Sequence, residues 1–540
     1  MFSKNEQREA HGARGGYAGV AKQLLASVGD PVLTNPIDIR AWVEATRQER
    51  RDEARSAIAA LLAWVEGEAQ GLSLVAVERE LLVRLLALGC TLTALWLVLR
   101  MPEQVPQHVR DGKGWYTYLG IRGEIVRTQF GEAWSPRAAY ELVSGKGARV
   151  VAPLDRAIGL AAGRMSLGVH LLVGNLAARM PFDEVGAILA QIGLYRPSKK
   201  SMLGIVDQLG PSARQFLFDM PAPAGDGEIL VIQVDEKGAP MVSSAEHAKR
   251  CGPRPKRRGA TARSIRRRLA RERPRTRKKP GSKSKNAKMG TVAVVYTLRL
   301  TRSGKLEGPL NKRVIGTFNG RVHLFDLALH EAKKRGYGSK RTYFLADGAL
   351  DLWKLQKQYF PKATPCVDWY HVCEYLWKAG TAAHRPGSKA LAAWVSDRKE
   401  ELRSGRIDDV LAELSRLGEE VAKRRKGRRK RVADAIRYIT NHREWMPYAK
   451  LLAADLDVAT GVVEGAVNHT IGARLDGSMM RWSRARADHV LALRCIIVND
   501  DWKDFATSVI DEHSRCTGLS VPRITPDRPQ EPYDAVRKAA

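Results

Sequence analysis

The chain of 540 residues carries 90 Lys and Arg against 58 Asp and Glu, for a formal charge of +32 and a pI near 10.1. That length allows roughly three or four domains, and so large an excess of base calls for a polyanionic partner, nucleic acid first, while an acidic membrane surface would also serve. No run reaches the about 18 consecutive apolar residues of a spanning helix, Leu81 to Leu99 coming closest with Arg84 inside it, and MFSKNEQREA has no apolar core of a signal peptide.

Residues 1–40 are polar and Gly-rich and read as disordered. Residues 41–150 read as a helical domain with a small β element. Trp42, Val43, Ile58, Leu61, Leu62, Trp64, Val65, Leu81, Leu82, Leu85 and Leu86 recur largely at three- and four-residue steps, which predicts two or three packed helices. They form either an oligomerisation unit or an ordinary helical domain with one buried face. WYTYLGIRGEIVRTQF, Trp115 to Phe130, has β character and suggests a small hairpin around Arg122-Gly123. Residues 151–225 turn helical, and Met180 to Gly210 reads as two helices broken at Gly193. Ser198 caps the second, whose first turn holds Lys199 and Lys200, so the pair is either helix-turn-helix-like and DNA-binding or plain packing.

From Glu228 the texture changes. EILVIQVDEKG is an apolar run of strand length ending in Asp235 and Glu236, whose side chains point to opposite faces by alternation. Lys249 to Lys288 then holds nineteen Lys or Arg and one acid among Pro and Gly. Such a run repels itself and buries no core. It reads as an extended phosphate-binding arm, with Arg257, Arg258, Arg266, Arg267, Arg268, Lys278 and Lys279 among its contacts.

Gly290 to Leu300 and Lys312 to Phe318 are β-rich, and Val322 to Lys334 is helical. RTYFLADGALDLWKLQKQYFPKATPCVDWYHVCEYLW, Arg341 to Trp377, reads strand, helix, strand, helix, with Asp347 and Asp368 at strand ends. A three-strand antiparallel meander and two further strands alternating with helices make an α/β core with a mixed five-stranded sheet, the ribonuclease H-like arrangement. It spans residues 226–385 and is completed by 455–505. Residues 386–454 are helical and charged, with a basic knot from Lys423 to Arg431 that includes Arg428 and Arg429, and read as an insertion. Glu464 begins a helix to Arg474, a loop holding Met479, Arg481 and Trp482 follows, and a last helix runs to Val498. Residues 506–540 read as a tail. Six scattered cysteines, with no CxxC pair, read as reduced cytosolic thiols and argue against a cysteine-based zinc site.

Ligands collect at the carboxyl ends of strands in open α/β sheets, which directs attention to the acids there. Phosphoryl transfer on nucleic acid is commonly run by two divalent metals roughly 3.5 to 4 Å apart. Mg2+ takes oxygen ligands and keeps waters, so a few converging carboxylates suffice. Asp235, Asp347 and Glu464 fall on the first strand, at the end of the fourth and on a later helix, and no other trio in the chain is so placed.

The blocks VDEKGAP, ADGALDLW, CVDWYHVCEYLW and GVVEGAVNHTIGARLDGSMMRWS, in this order, resemble the DDE transposases of bacterial insertion sequences, most closely the Kra-type family. The resemblance covers about Ile229 to Trp502, with a weaker match at residues 180–210. It implies Asp235, Asp347 and Glu464 as catalytic ligands of two Mg2+ ions, Mn2+ being able to substitute. It also implies DNA as partner, as terminal inverted repeats and target, and a homo-oligomer in synapsis. The place implied is the bacterial cytoplasm at the nucleoid, with no membrane partner. Asp368 and His371 match the Asp-x-x-His signature of related transposases. Where family members often carry a small Cys-containing element ahead of the core, this chain has RTQFGEAWSPRAAY without cysteine. Two alternatives stay open, a non-catalytic DNA-binding protein that keeps the fold and a nuclease on the same core.

Each residue also has a plainer reading. Asp235 serves as a strand-end cap, Asp347 as a turn residue before Gly348, and Glu464 as a first-turn acid complementing the helix dipole. His371 is a core or capping histidine, or it orients the scissile phosphate or a strand end. Arg474 and Arg481 grip phosphates, and Trp482 stacks on a base or belongs to the core.

Overall fold

The computed structural model describes residues 36–160, 164–242, 287–422, 426–477 and 480–518. The N-terminal stretch, the basic arm with Arg257, Arg258, Arg266, Arg267, Arg268, Lys278 and Lys279, the start of the basic knot, Met479 and the end of the tail lie outside the described residues. The chain divides into two compact units. One comprises residues 1–176, 182–212 and 503–540, the other residues 177–181 and 213–502.

In the first unit, β1 (Pro36–Asp38) pairs antiparallel with β2 (Gln104–Pro106). Between them α1 (Arg40–Glu66) and α2 (Leu74–Leu99) pack as a hairpin. The expected helical spacing is present, and the β content is larger than expected. β3 (His108–Asp111), β4 (Lys113–Thr128), β5 (Gly131–Lys146) and β6 (Val150–Val151) form an antiparallel sheet in that order. The hairpin expected at Arg122-Gly123 is not there. β4 runs straight through both residues, pairing Arg122 with Arg137 and Gly123 with Pro136, and the chain turns at Gln129-Phe130. Gly123 is needed for room: a Cβ there would lie 2.3 Å from the Trp134 indole nitrogen. Ile39, Val43, Met101, Val109, Tyr116 and Tyr140 form the core of this region, and the Tyr140 hydroxyl donates to the Pro106 carbonyl at 3.0 Å.

α2 is long and apolar enough to cross a membrane by length and composition, with 17 % of its most apolar window buried, although charged residues keep it short of 18 consecutive apolar positions. Arg84 does not break its apolar character: the guanidinium pairs with Glu80 at 3.0 Å and lies over the Trp64 ring.

α3 (Pro153–Ala157) and α4 (Leu167–Arg179) lead to the expected helix pair, α5 (Phe182–Gln191) and α6 (Lys199–Asp219). Gly193, at φ +74°, follows α5, and the Ser198 hydroxyl accepts from Ser201 N at 3.1 Å. α6 does not stop at Gly210. It continues through Pro211, because Met202, Ile205, Val206, Leu209, Ala213 and Leu217 form one buried face on both sides of the proline. Residues 502–517, partly assigned to the tail above, form a C-terminal helix with Phe505 and Val509 buried.

The second unit is mixed α/β. Its five-stranded sheet has the order β11-β10-β7-β8-β9, where β7 is Ile229–Pro240, β8 Ala287–Leu300, β9 Leu306–Thr317, β10 Arg341–Ala346 and β11 Thr364–Val367. β7, β8 and β9 run antiparallel in sequence, while β10 is parallel to both β7 and β11. Leu230, Val231, Ile232, Val234 and Val292 to Val295 are buried, the near-continuous apolar pattern of strands covered on both faces. α7 (Arg321–Lys334), α8 (Leu350–Tyr359) and α9 (Trp369–Gly380) follow β9, β10 and β11 in turn. The helical stretch comprises α10 (Lys389–Arg403), α11 (Ile407–Glu420), α12 (Lys426–His442) and α13 (Tyr448–Leu452). α14 (Gly461–Val467) then packs on β7 and continues through a π turn, and α15 (Arg484–Val498) packs on β9. The five described cysteines are free thiols, as expected.

Candidate active site

The sheet brings two of the three expected acids side by side. β7 and β10 run parallel with Val234 opposite Ala346, so the next residue on each is Asp235 and Asp347. Strand alternation then sorts the residues of β7 by face. Gln233 and Lys237 both bond to the segment around α14: Gln233 Oε1 accepts from Val463 N at 3.0 Å, and Lys237 Nζ donates to Asn468 Oδ1 at 3.0 Å. Asp235 lies between them, on the face that meets the helix carrying Glu464. Glu236 takes the opposite face, as expected, where both its carboxylate oxygens accept from Arg321, at 2.7 and 2.8 Å, and one accepts from Thr291 Oγ1 at 3.0 Å.

Local hydrogen bonds hold the first two acids. Asp235 Oδ1 accepts from Glu236 N at 2.7 Å, and Asp347 Oδ1 accepts from Ala349 N at 3.0 Å. Gly348 serves close approach, since a Cβ there would lie 2.3 Å from the Tyr438 hydroxyl, and His442 Nε2 sits 2.8 Å from the Gly348 carbonyl oxygen. So α12, from the helical stretch, abuts the turn directly after Asp347.

Asp368 is fully buried and acts as a joint between strand ends and α14. Its N–H donates to Ala346 O at 2.9 Å, and Oδ2 caps α9 by accepting from His371 N at 2.8 Å and pairs with the His371 ring at 2.9 Å. Its other oxygen accepts from both the N–H and the hydroxyl of Thr460, each at 2.8 Å. Thr460 precedes α14, and its hydroxyl also lies 3.3 Å from Glu464 Oε1. That hydroxyl has one hydrogen, and the shorter bond to the buried Asp368 takes it. Thr460 and Gln233 are thus site residues the sequence reading missed.

Charge separates these groups sharply. Burial first, then the charges of Asp347 and Glu464, push the Asp235 carboxyl up to about 6, against the Glu236 N–H and the His371 charge, which hold it down. Burial pushes Asp368 the same way, but the hydrogen bonds from His371 and Thr460 outweigh it and leave Asp368 below the usual carboxylate range. The hydrogen bond to Asp368, with the charges of Asp368, Asp347 and Glu374, raises His371 to about 9 against burial, so its ring is cationic at neutral pH.

Asp235 therefore feels the charges of both Asp347 and Glu464, and the three offer oxygen donors only. That donor set fits a hard divalent cation, and the mutual repulsion is what such an ion relieves. They do not stand as a closed cage: among the described residues, no three His, Cys, Asp or Glu side chains are grouped at metal-holding distance. Asp368 fits a ligand role poorly, because its oxygens are already engaged.

The expected nucleic-acid contacts divide. Lys199 and Lys200 are exposed on α6, Lys199 pairing with Asp183 at 2.7 Å, and Arg428 and Arg429 are exposed in the first turn of α12. Arg481 is exposed. Arg474 and Trp482 are not phosphate or base contacts but core. Arg474 is 1 % exposed, donates from Nε to Ala177 O at 2.6 Å and stacks over Trp482, 5.0 Å from the ring centroid. The Trp482 indole N–H donates to Leu475 O at 3.0 Å, and its backbone bonds to Pro240 and Val242. This packing secures the loop after α14 against the end of β7.

Comparison of the chain with protein-family models and with curated proteins found no match.

Proposed function

We propose that this chain is a DDE transposase of a bacterial insertion sequence, built on a ribonuclease H-like core, which cleaves DNA at the element's ends and transfers the strands to target DNA. The observation that carries the reading is that Asp235 and Asp347 follow the paired Val234 and Ala346 on parallel β7 and β10, and that Asp235 feels the charges of both Asp347 and Glu464, from three distant stretches of chain. The strand order supports the fold, with the first strand central, the meander on one side and two parallel strands on the other. A helical stretch between the second and third acids adds to it.

In this reading Asp235, Asp347 and Glu464 would hold two Mg2+ ions, or Mn2+ in their place, and such ions would supply activation of the attacking oxygen and stabilisation of the leaving one. Asp368 and Thr460 position α14, and cationic His371 offers a hydrogen-bond donor to a phosphate beside the acids. Water attacks phosphorus at the element end and releases a 3′-hydroxyl. That hydroxyl attacks a target phosphorus and displaces its bridging oxygen, so no protein nucleophile is needed. Lys199, Lys200, Arg428 and Arg429, with the basic arm, neutralise backbone phosphates. Synapsis of two ends calls for a homo-oligomer, and the substrate places the protein at the nucleoid of the bacterial cytoplasm.

The test is incubation of the purified chain with a duplex bearing the DNA that flanks its coding region, in Mg2+ or Mn2+. Cleavage followed by joining of a precleaved end to a second duplex is expected; cleavage without joining favours the nuclease. Asp347→Ala should abolish cleavage and leave salt-sensitive DNA affinity nearly intact. Equal loss of both overturns the catalytic assignment and leaves a DNA-coating protein.

A further inference from the structure

Tyr438, on α12 of the helical stretch, carries a hydroxyl shut off from solvent and without a hydrogen-bond partner among the described residues. An unpaired buried donor is costly to the fold. Its ring is nonetheless held firmly, stacked between Tyr375 of α9, with centroids 4.0 Å apart, and His442, at 4.2 Å. The hydroxyl lies against Gly348, the residue after Asp347. Burial first, then Tyr375 and the charges of Asp347, Asp368 and Glu374, raise the group above its ordinary 10, so it keeps its proton at neutral pH. Two of those three acids are already engaged. Both Asp368 oxygens accept from His371 or Thr460, and Glu374 pairs with Lys378 at 2.8 Å. Asp347 Oδ1 accepts from Ala349 N, and its Oδ2 has no hydrogen-bond donor among the described residues.

From this we infer that Tyr438 is a positioning residue for Asp347, its hydroxyl donating to that open carboxylate oxygen when Asp347 serves as a cation ligand. Tyr438 in this role presupposes the proposed reading of the acids and adds to it, because the helical stretch then acts on the site itself besides offering basic surface. A ligating carboxylate is oriented by a hydrogen bond to its outer oxygen, and such supporting donors strengthen metal binding. The rings clamp Tyr438, whereas Asp347 sits just past the end of β10. The carboxylate is therefore the partner that adjusts.

The experiment titrates Mn2+ into the full-length chain without DNA and reads free Mn2+ by electron paramagnetic resonance, so that no turnover enters. Tyr438→Phe keeps the ring stack and removes only the hydroxyl. It should bind Mn2+ about tenfold more weakly, with the Tm of the metal-free chain unchanged or raised, because the hydroxyl removed has no partner there. A merely structural tyrosine would lower that Tm and leave the affinity alone. A second reading keeps Tyr438 in place and decides alone if the variant misfolds: Mn2+ should shift wild-type tyrosine absorbance to longer wavelength, as a phenol donating to a carboxylate does, and Asp347→Ala should lack the shift. Equal Mn2+ affinity in wild type and Tyr438→Phe, or no absorbance shift in a wild type that binds Mn2+, overturns the role of Tyr438 and leaves the reading of the acids standing. Should wild type and Asp347→Ala take up Mn2+ alike, that reading falls and the role of Tyr438 falls with it.

Discussion

Asp235 and Glu236 are adjacent carboxylates on one strand, and the sheet treats them in opposite ways. Glu236 faces α7, where Arg321 grips both its oxygens and Thr291 adds a third bond. Asp235 faces α14, where burial first and then the charges of Asp347 and Glu464 raise it to about 6 instead of compensating it. One face of β7 spends its acid on the fold. The other holds a set of like charges that folding alone gives no reason to assemble, and such uncompensated clusters are where ligands and chemistry are sought.

The largest effect should come from the uncompensated face. Asp235→Asn is expected to lower DNA cleavage on the order of 1,000-fold or more, as loss of a metal ligand would, while raising stability above pH 6 by about 1 kcal/mol. The sign follows from the raised carboxyl: the folded protein resists its ionisation, so removing the charge helps wherever the group would be ionised. Denaturant titration at pH 8 reads this directly, and a clear loss of stability would break the comparison.

Asp368→Asn comes next, at about 3 kcal/mol of destabilisation, because the amide nitrogen cannot accept and buried partners at His371 or Thr460 lose theirs. Glu236→Gln should cost less, about 2 kcal/mol, since its partner Arg321 is partly exposed and water can take over part of its solvation. Its cleavage rate per folded molecule should change several-fold at most. Comparable catalytic losses in Glu236→Gln and Asp235→Asn would erase the distinction between the faces.

The skeleton of the second unit was legible in sequence because its strands are apolar runs, β10 stopping at Ala346-Asp347-Gly348, although β7 does not end at Asp235 as expected but runs on through Glu236 and Gly238 to Pro240. Alternation alone sent Asp235 and Glu236 to opposite faces. The joints of the site were hidden. Gln233 and Thr460 are single polar residues whose partners are fixed by the packing of α14 on β7, far away in sequence. Glycine misled twice, at Gly123 and Gly210. The first gives room to a cross-strand indole and the second sits on a helix whose buried face outweighs it. Composition could not separate a guanidinium stacked in the core, Arg474 on Trp482, from one on the exposed surface. The last helix, residues 502–517, depends on Phe505 and Val509, too few apolar positions to stand out.

The smallest effect sharpens the comparison most, because His371 faces the Asp235 side as a cation while Arg321 holds the other. His371 is raised from its ordinary 6.5 to about 9, with Asp368 as its main partner and Asp347 and Glu374 adding charge. A raised histidine contributes stability that is fully present below pH 6.5 and is lost as pH rises through about 9. Asp368, held below its ordinary 3.8, contributes above that value and loses its share as pH falls. The pair therefore stabilises most between pH 4 and 6.5. Wild type should lose on the order of 1 kcal/mol more than His371→Gln between pH 6.5 and 9.5, a figure discounted from the full shift because the imidazole is 43 % exposed. Parallel stability curves for the two proteins over that range would mean that His371 is not held as a cation, and that the acids around Asp235 lack the neighbour assigned to them.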